Sequence, residues 1–347
     1  MDMNYQKQFD RIIQSLSNSG GRIMLIGPSD SGKTTTAIKL LSRLQTRFNP
    51  IGFLDADIGQ SCIGPPGTIG GAVYHGFNPD QDLESQAKSL RFAFIGSFTP
   101  MNCELRIISC LNHFFTFFAD HKCRTVIIDT TGLIHGRNGL RLKRNKLDFV
   151  KPHHILFFTR EEKDLLLFNL YSHMRNIIVH RLPASSAIRN RSLEIRRDYR
   201  LQRIGHYLHN SNSMVLNLPP FLEWRNDIVL RSTNDSALCK YLHKIMDQTI
   251  YFAAIASEQL LVVSDSWMYN HIELVKQKLG LSNIYFIRKQ SLKNKLIAIE
   301  DTQFNLLTYG ILDSIDFNEK KFVITGNKFN PKKAYILKIG METINFC

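Results

Sequence analysis

The strongest constraint in this chain is the run Gly27-Pro28-Ser29-Asp30-Ser31-Gly32-Lys33-Thr34, with Thr35 following. It spells G-x-x-x-x-G-K-T, the loop whose backbone N–H groups wrap nucleotide phosphates. Its flanks match what the loop needs. Ile23-Met24-Leu25-Ile26 reads as a buried parallel strand, and Thr34 to Arg47 carries Ala37, Ile38, Leu40, Leu41 and Leu44 at helical spacing. A strand–loop–helix unit points its amides at the phosphates, and the helix N-terminus adds partial positive charge. Lys33 is expected to reach the β- and γ-phosphates, and the Thr34 hydroxyl to bind Mg²⁺. The loop alone does not say where a phosphate goes.

The rest of the first half repeats one pattern. Tyr5, Phe9, Ile12, Ile13 and Leu16 define an opening amphipathic helix. Strands are predicted at 51–55, 92–95, 125–128, 155–158 and 177–179, and helices at 103–118, 140–150 and 161–171. Strands alternating with helices predict an α/β fold, a parallel sheet with helices on both faces. A long Arg-rich helix follows at about 189–209. Beyond it, short alternating strands at 260–263, 284–287, 296–299, 311–315 and 321–324 predict a smaller, mostly β domain. The expected division is residues 1–210 and 211–347.

Carboxylates and arginines cluster in informative places. Asp55 and Asp57 end the second predicted strand, at the edge of a parallel sheet where ligands bind. Two acids there can divide the work of holding a metal and taking a proton from an attacking hydroxyl. Asp129 ends the apolar strand Val126-Ile127-Ile128 and is a further metal candidate. Arg196, Arg200 and Arg203 share one face of the Arg-rich helix, which also carries Arg189, Arg191 and Arg197. Like charges at that spacing destabilise a bare helix, so an anionic ligand is expected. Arg137, Arg141, Lys143, Arg144 and Lys146 form a second basic group, a candidate track for a nucleic-acid backbone. Asp129-Thr130-Thr131-Gly132 and Asn145-Lys146-Leu147-Asp148 imitate the D-x-x-G and N-K-x-D motifs of a GTPase. They stand too close together for the helix and strand that must separate them, so the match is one of letters.

Composition adds limits. With 347 residues the chain is long enough for two domains, and its net charge of +14 suits a polyanionic partner. The six cysteines form no C-x-x-C pair, which argues against zinc and redox dithiols. No apolar run is long enough to span a membrane, and the first residues lack a secretory pattern.

The runs GPSDSGKTT (27–35), DADIGQSCIGPPGTIGG (55–71), FIGSFTP (94–100), DTTGLIHG (129–136) and RSLEIRRDYRLQRIGHYL (191–208) together resemble the polynucleotide 5′-hydroxyl kinases of RNA processing. That resemblance implies transfer of the γ-phosphate of ATP, with Mg²⁺, to the 5′-hydroxyl end of RNA, in some members DNA. It implies that Lys33 grips the phosphates, that Thr34 holds the metal beside Asp55 and Asp129, and that Asp57 is the base. It further implies that Arg191, Arg196 and Arg200 stabilise the transferring phosphoryl group, while Gln60, Thr131 and Gly132 receive the acceptor. The short form is similar to prokaryotic members, which implies a cytoplasmic protein.

Three features depart from the family pattern. Leu133 stands where the family has Trp, so a stacking platform for a base is missing. Asp129 stands where Asn is common. The N-terminal β domain that helps hold adenine in eukaryotic members has no counterpart, which leaves Tyr5 or Phe9 for that contact. Two other readings stay open at this point: a GTPase or ATPase switch without an acceptor, and a nucleotide-stabilised scaffold of an RNA-processing complex.

Overall fold

The computed structural model describes residues 3–184, 191–226, 228–266 and 271–345. The chain divides into two compact units, Met1–Arg200 and Leu201–Cys347. The division falls inside the Arg-rich helix.

The first unit contains, in order, α1 (Met3–Ser19), β1 (Gly21–Ile26), α2 (Lys33–Leu44), β2 (Ile51–Ala56), β3 (Thr68–Tyr74), β4 (Ser89–Phe94), α3 (Glu104–Asp120), β5 (Thr125–Thr130), α4 (Gly136–Val150), β6 (His154–Thr159), α5 (Glu162–Ser172), β7 (Ile178–Pro183) and the start of α6 (Leu193–Leu208). Its seven-stranded sheet runs β4-β3-β2-β5-β1-β6-β7. Strands β2, β5, β1, β6 and β7 are parallel, whereas β3 and β4 are antiparallel to their neighbours. The sheet is therefore mixed rather than wholly parallel. Strand β3 was hidden in the sequence because Thr68-Ile69-Gly70-Gly71 reads as the end of a Gly/Pro-rich loop. Pairing with β2 on one side and β4 on the other makes it a strand.

Strands β2, β5 and β6 are buried along their whole length, as expected of parallel strands covered on both faces. On one face, Phe9, Ile12 and Leu16 of α1 join Leu40, Leu41 and Leu44 of α2 over Ile23, Leu25, Phe53 and Leu156. Phe9 is thus core and not available to a nucleotide base; the side chain of Tyr5 lies outside the described residues.

Strand order places β1 at the switch point. The chain leaves β1 through α2 toward β2, and leaves β5 through α4 toward β6 on the other side. The crevice at such a reversal lies beyond the C-terminal strand ends. There the β2–β5 register sets Asp55 opposite Asp129 and Ala56 opposite Thr130.

The second unit is mostly β. Its larger sheet contains β8 (Asn212–Asn217), β9 (Phe221–Trp224), β10 (Ile228–Arg231), β14 (Lys295–Glu300), β15 (Leu306–Asp316), β16 (Lys321–Gly326) and β17 (Ile336–Thr343), ordered β10-β9-β17-β14-β15-β16-β8. A three-stranded sheet is made by β11 (Ile250–Ala256), β12 (Gln259–Ser264) and β13 (Asn283–Arg288). Two helices, α7 (Ser236–Met246) and α8 (Ile272–Leu279), were absent from the sequence expectation. Asp235 caps α7 by accepting from the amides of Ala237 and Leu238. Among the described residues no helix is long and apolar enough to cross a membrane.

Candidate active site

The phosphate loop connects β1 to α2. Gly32 adopts φ 94°, where a side chain would strain the turn that opens the helix. A Cβ on Gly27 would stand 2.5 Å from Phe158 Cβ on β6, so this glycine lets the loop lie flat on its neighbouring strand. Lys33 is buried, and its Nζ donates to the Pro28 carbonyl at 2.7 Å. Burial lowers its pKa, and the charges of Asp129, Asp57 and Asp30 oppose that shift. The buried Ser31 hydroxyl has no hydrogen-bond partner among the described residues. An amide-lined loop with a buried ammonium and an unmatched hydroxyl fits phosphate oxygens.

The acids divide by what they touch. The Thr34 hydroxyl donates to Asp129 Oδ2 at 2.5 Å. Burial raises the pKa of Asp129, while Lys33 and the Thr34 hydrogen bond pull it back. A hydroxyl and one carboxylate fit Mg²⁺, which keeps several waters and takes its remaining ligands from phosphates. Asp55 differs from expectation in its contacts. Both of its oxygens accept backbone amides, from Asp57 at 3.0 Å, Cys62 at 2.5 Å and Ile63 at 3.0 Å. It ties down the Gly59–Thr68 loop, and desolvation with Asp129 nearby pushes its carboxyl up to about 7. Asp57 is only partly buried; its Oδ1 accepts from the amides of Gly59 and Gln60.

Helix α6 brings cations to the same place. Arg196 donates from Nη2 to Asp30 Oδ2 at 2.6 Å, and the backbone N–H of Arg191 donates to the same oxygen at 3.0 Å. Arg191 Nη1 also donates to Gln60 Oε1 at 3.3 Å. One cavity is lined by Ser29 to Thr35, Asp57, Gln60, Cys62, Arg191, Arg196 and Tyr199. Arg200 is not in that lining; its guanidinium lies 5.0 Å over the Phe98 ring. Arg189 lies outside the described residues.

Thr131 and Gly132 follow β5 at the same edge. A Cβ on Gly132 would meet Ser29 N at 2.4 Å, so this loop lies directly against the phosphate loop. The expected basic track on α4 is corrected. Arg137, Arg141 and Arg144 face outward, but Lys143 and Lys146 are fully buried. Asn145 lies inside α4, ahead of β6, so N-K-L-D cannot read a guanine at a strand end.

Three contributors escaped the sequence reading. Tyr199 donates to the Ser61 carbonyl at 2.9 Å, and its place one turn after Arg196 was the available signal. Arg160, just beyond β6, donates from Nη2 to the Asp30 carbonyl; its position at a strand end carried that information. Cys62 lines the cavity because Asp55 folds its loop inward, which no local pattern reveals.

A central strand, phosphate loop and helix, with a carboxylate on the adjacent strand end, define a P-loop protein. Residues 27–210 match the family described as mRNA cleavage and polyadenylation factor CLP1 P-loop, and the chain belongs to that family. The polyribonucleotide 5′-hydroxyl-kinase of Pyrococcus abyssi is 30% identical over 317 residues, which cover 87% of this chain and 82% of that protein. The protein of the same name from Methanocaldococcus jannaschii is 26% identical over 312 residues, 88% of this chain and 81% of the relative. Among solved structures, wild-type Clp1p in complex with Pcf11p aligns with TM-score 0.64 at 13% identity, covering 98% of this chain and 79% of that one. That likeness concerns the fold.

Proposed function

We propose that this protein is an ATP-dependent polynucleotide 5′-hydroxyl kinase acting on RNA ends. The observation that carries this reading is the cavity where the phosphate loop, Asp57, Gln60 and the arginines of α6 meet. A carboxylate and arginines converging on the phosphate loop serve phosphoryl transfer, the carboxylate as base and the arginines as partners of the moving group. The names of the archaeal relatives support the same activity.

In this mechanism Lys33 leaves the Pro28 carbonyl to hold the β- and γ-phosphates, and Ser31 gains a phosphate partner. Thr34 and Asp129 would hold Mg²⁺, which would supply charge neutralisation for the phosphates. Asp55 acts from behind by fixing the loop that carries Asp57. Asp57 orients the 5′-hydroxyl and accepts its proton. Arg191 and Arg196 exchange Asp30 for the oxygens of the moving phosphoryl group, a forked cationic match that Lys would not provide. Arg200, stacked on Phe98, steadies α6. Thr131 and Gly132 receive the polynucleotide end beside the phosphate loop. Positioning and charge supply most of the rate in such a reaction.

The test is transfer of label from γ-labelled ATP to 5′-hydroxyl RNA and DNA oligonucleotides with Mg²⁺. Nucleotide binding without transfer to any acceptor would overturn the proposal and leave a nucleotide-bound scaffold.

A further inference from the structure

Lys143 and Lys146 sit one turn apart on the inner face of α4 and are 0% and 1% exposed. Burying an ammonium is unfavourable unless its donors are matched, and leucines would fill the same space without that cost. Neither lysine makes an ion pair among the described residues. Their partners are instead oxygens of the two strand ends that form the site.

Lys143 Nζ donates to Thr130 Oγ1 at 2.7 Å and to the Thr131 carbonyl at 2.6 Å, with Thr131 Oγ1 at 3.5 Å. These contacts join Lys143 to the last residue of β5 and the first of the loop that follows. Thr130 Oγ1 in turn donates to the Leu25 carbonyl at 2.7 Å, so the contact continues to β1 just before the phosphate loop. Lys146 Nζ points at the Ala56 carbonyl at 3.4 Å. Ala56 immediately precedes Asp57, and β-pairing sets it opposite Thr130. The two ammonium groups therefore sit at adjacent strand ends, and neither lines the cavity. Burial pushes the Lys143 amine well below the ordinary lysine range and that of Lys146 down to about 8, and the charges of Asp57 and Asp129 oppose both shifts.

We propose that Lys143 and Lys146 are positioning residues for the phosphoryl acceptor: Lys143 fixes the Thr131–Gly132 loop, and Lys146 fixes the strand end that carries Asp57. This rests on the kinase reading above. The phosphate loop keeps contacts of its own, Lys33 to the Pro28 carbonyl and Arg160 to the Asp30 carbonyl, so the loss falls more on the acceptor side than on donor binding. The two lysines therefore affect different kinetic constants. Loosening the acceptor loop weakens the polynucleotide, and loosening the Asp57 strand end slows the transfer step.

The experiment compares wild type with Lys143→Met, Lys143→Gln and Lys146→Met, varying ATP and the 5′-hydroxyl RNA separately. Phosphate lost to water is counted in the same reactions. Loss of hydrogen bonds from a charged donor corresponds to about tenfold to hundredfold. Lys143→Met is expected to raise the RNA KM by about that factor and the ATP KM by less, since the Thr131–Gly132 loop also touches Ser29 of the phosphate loop. Lys143→Gln, which keeps an N–H donor, is expected to recover part of the loss. Lys146→Met is expected to lower kcat with both KM values nearly unchanged. Partition between RNA and water is read on the same molecules, so it is independent of how much of a variant folds. Equal loss of transfer and hydrolysis, with both KM values moving together, would show a merely structural role and overturn the inference alone. Wild-type protein that labels no acceptor overturns the kinase reading and this inference with it.

Discussion

Gly132→Ala is a sharp test of the site because the structure fixes both its size and its direction. An added Cβ would stand 2.4 Å from Ser29 N, 2.5 Å from Ser29 Cα and 2.2 Å from Ser29 Oγ. The hydroxyl can rotate away, but the amide and Cα belong to the phosphate loop. Ordinary contact begins near 3.4 Å, so the two loops must part by about 1 Å. Overpacking of this kind costs roughly 1–3 kcal/mol of stability. Its functional effect is larger, because a misplacement of about 1 Å between reacting groups costs on the order of 10²-fold in rate. Label transfer is therefore expected to fall about a hundredfold while a thermal melt shifts by only a few degrees. A fluorescent ATP analogue is expected to bind more weakly, since Ser29 belongs to its cradle. Wild-type kcat and KM in a folded Gly132→Ala protein would refute the argument that these loops touch in the working enzyme.

Other outcomes follow from single residues. Asp57→Asn is expected to lower transfer by about 10²–10⁴-fold with nucleotide binding intact, whereas Lys33→Ala should lose binding as well; equal nucleotide affinities in equilibrium titrations would contradict this division. Buried His154 is hydrogen-bonded to Ser19 at 2.6 Å, and burial beside His180 and His153 lowers its pKa from 6.5 to about 4. The unfolded chain takes up this proton near pH 6.5 and the folded one only near pH 4, so stability is expected to fall as pH drops through that window, by up to about 3 kcal/mol. His154→Asn should flatten the dependence in urea melts; parallel curves for the two proteins would exclude His154 as the cause. Leu133→Trp is expected to tighten RNA about fivefold to a hundredfold by adding a stacking face, and unchanged RNA KM would exclude stacking at this position.

The phosphate loop, its strand and its helix were legible in the sequence because each is a local pattern: an apolar run, a fixed glycine spacing, then a 3.6-residue period. Asp57, Arg191 and Arg196 stood out in the sequence as members of motifs, and the fold brings these three to one cavity; chain distance exposed the GTPase imitation. Tertiary structure decided what spacing cannot carry. Strand β3 forms between β2 and β4, and its Gly70-Gly71 pair, which interrupts the strand pattern, is accommodated by that pairing. Phe9 became core because α1 lies over α2. Asp55 turned toward the amides of Cys62 and Ile63, seven and eight residues away, and left the Thr34–Asp129 pair as the metal candidate. Lys143 and Lys146 carry the same letters as a surface patch, and only the packing of α4 under β2 and β5 turned them inward. A sequence records which charges a chain owns; which solvent or partner each one faces depends on contacts between distant segments, and the crevice beyond β1 is made of such contacts.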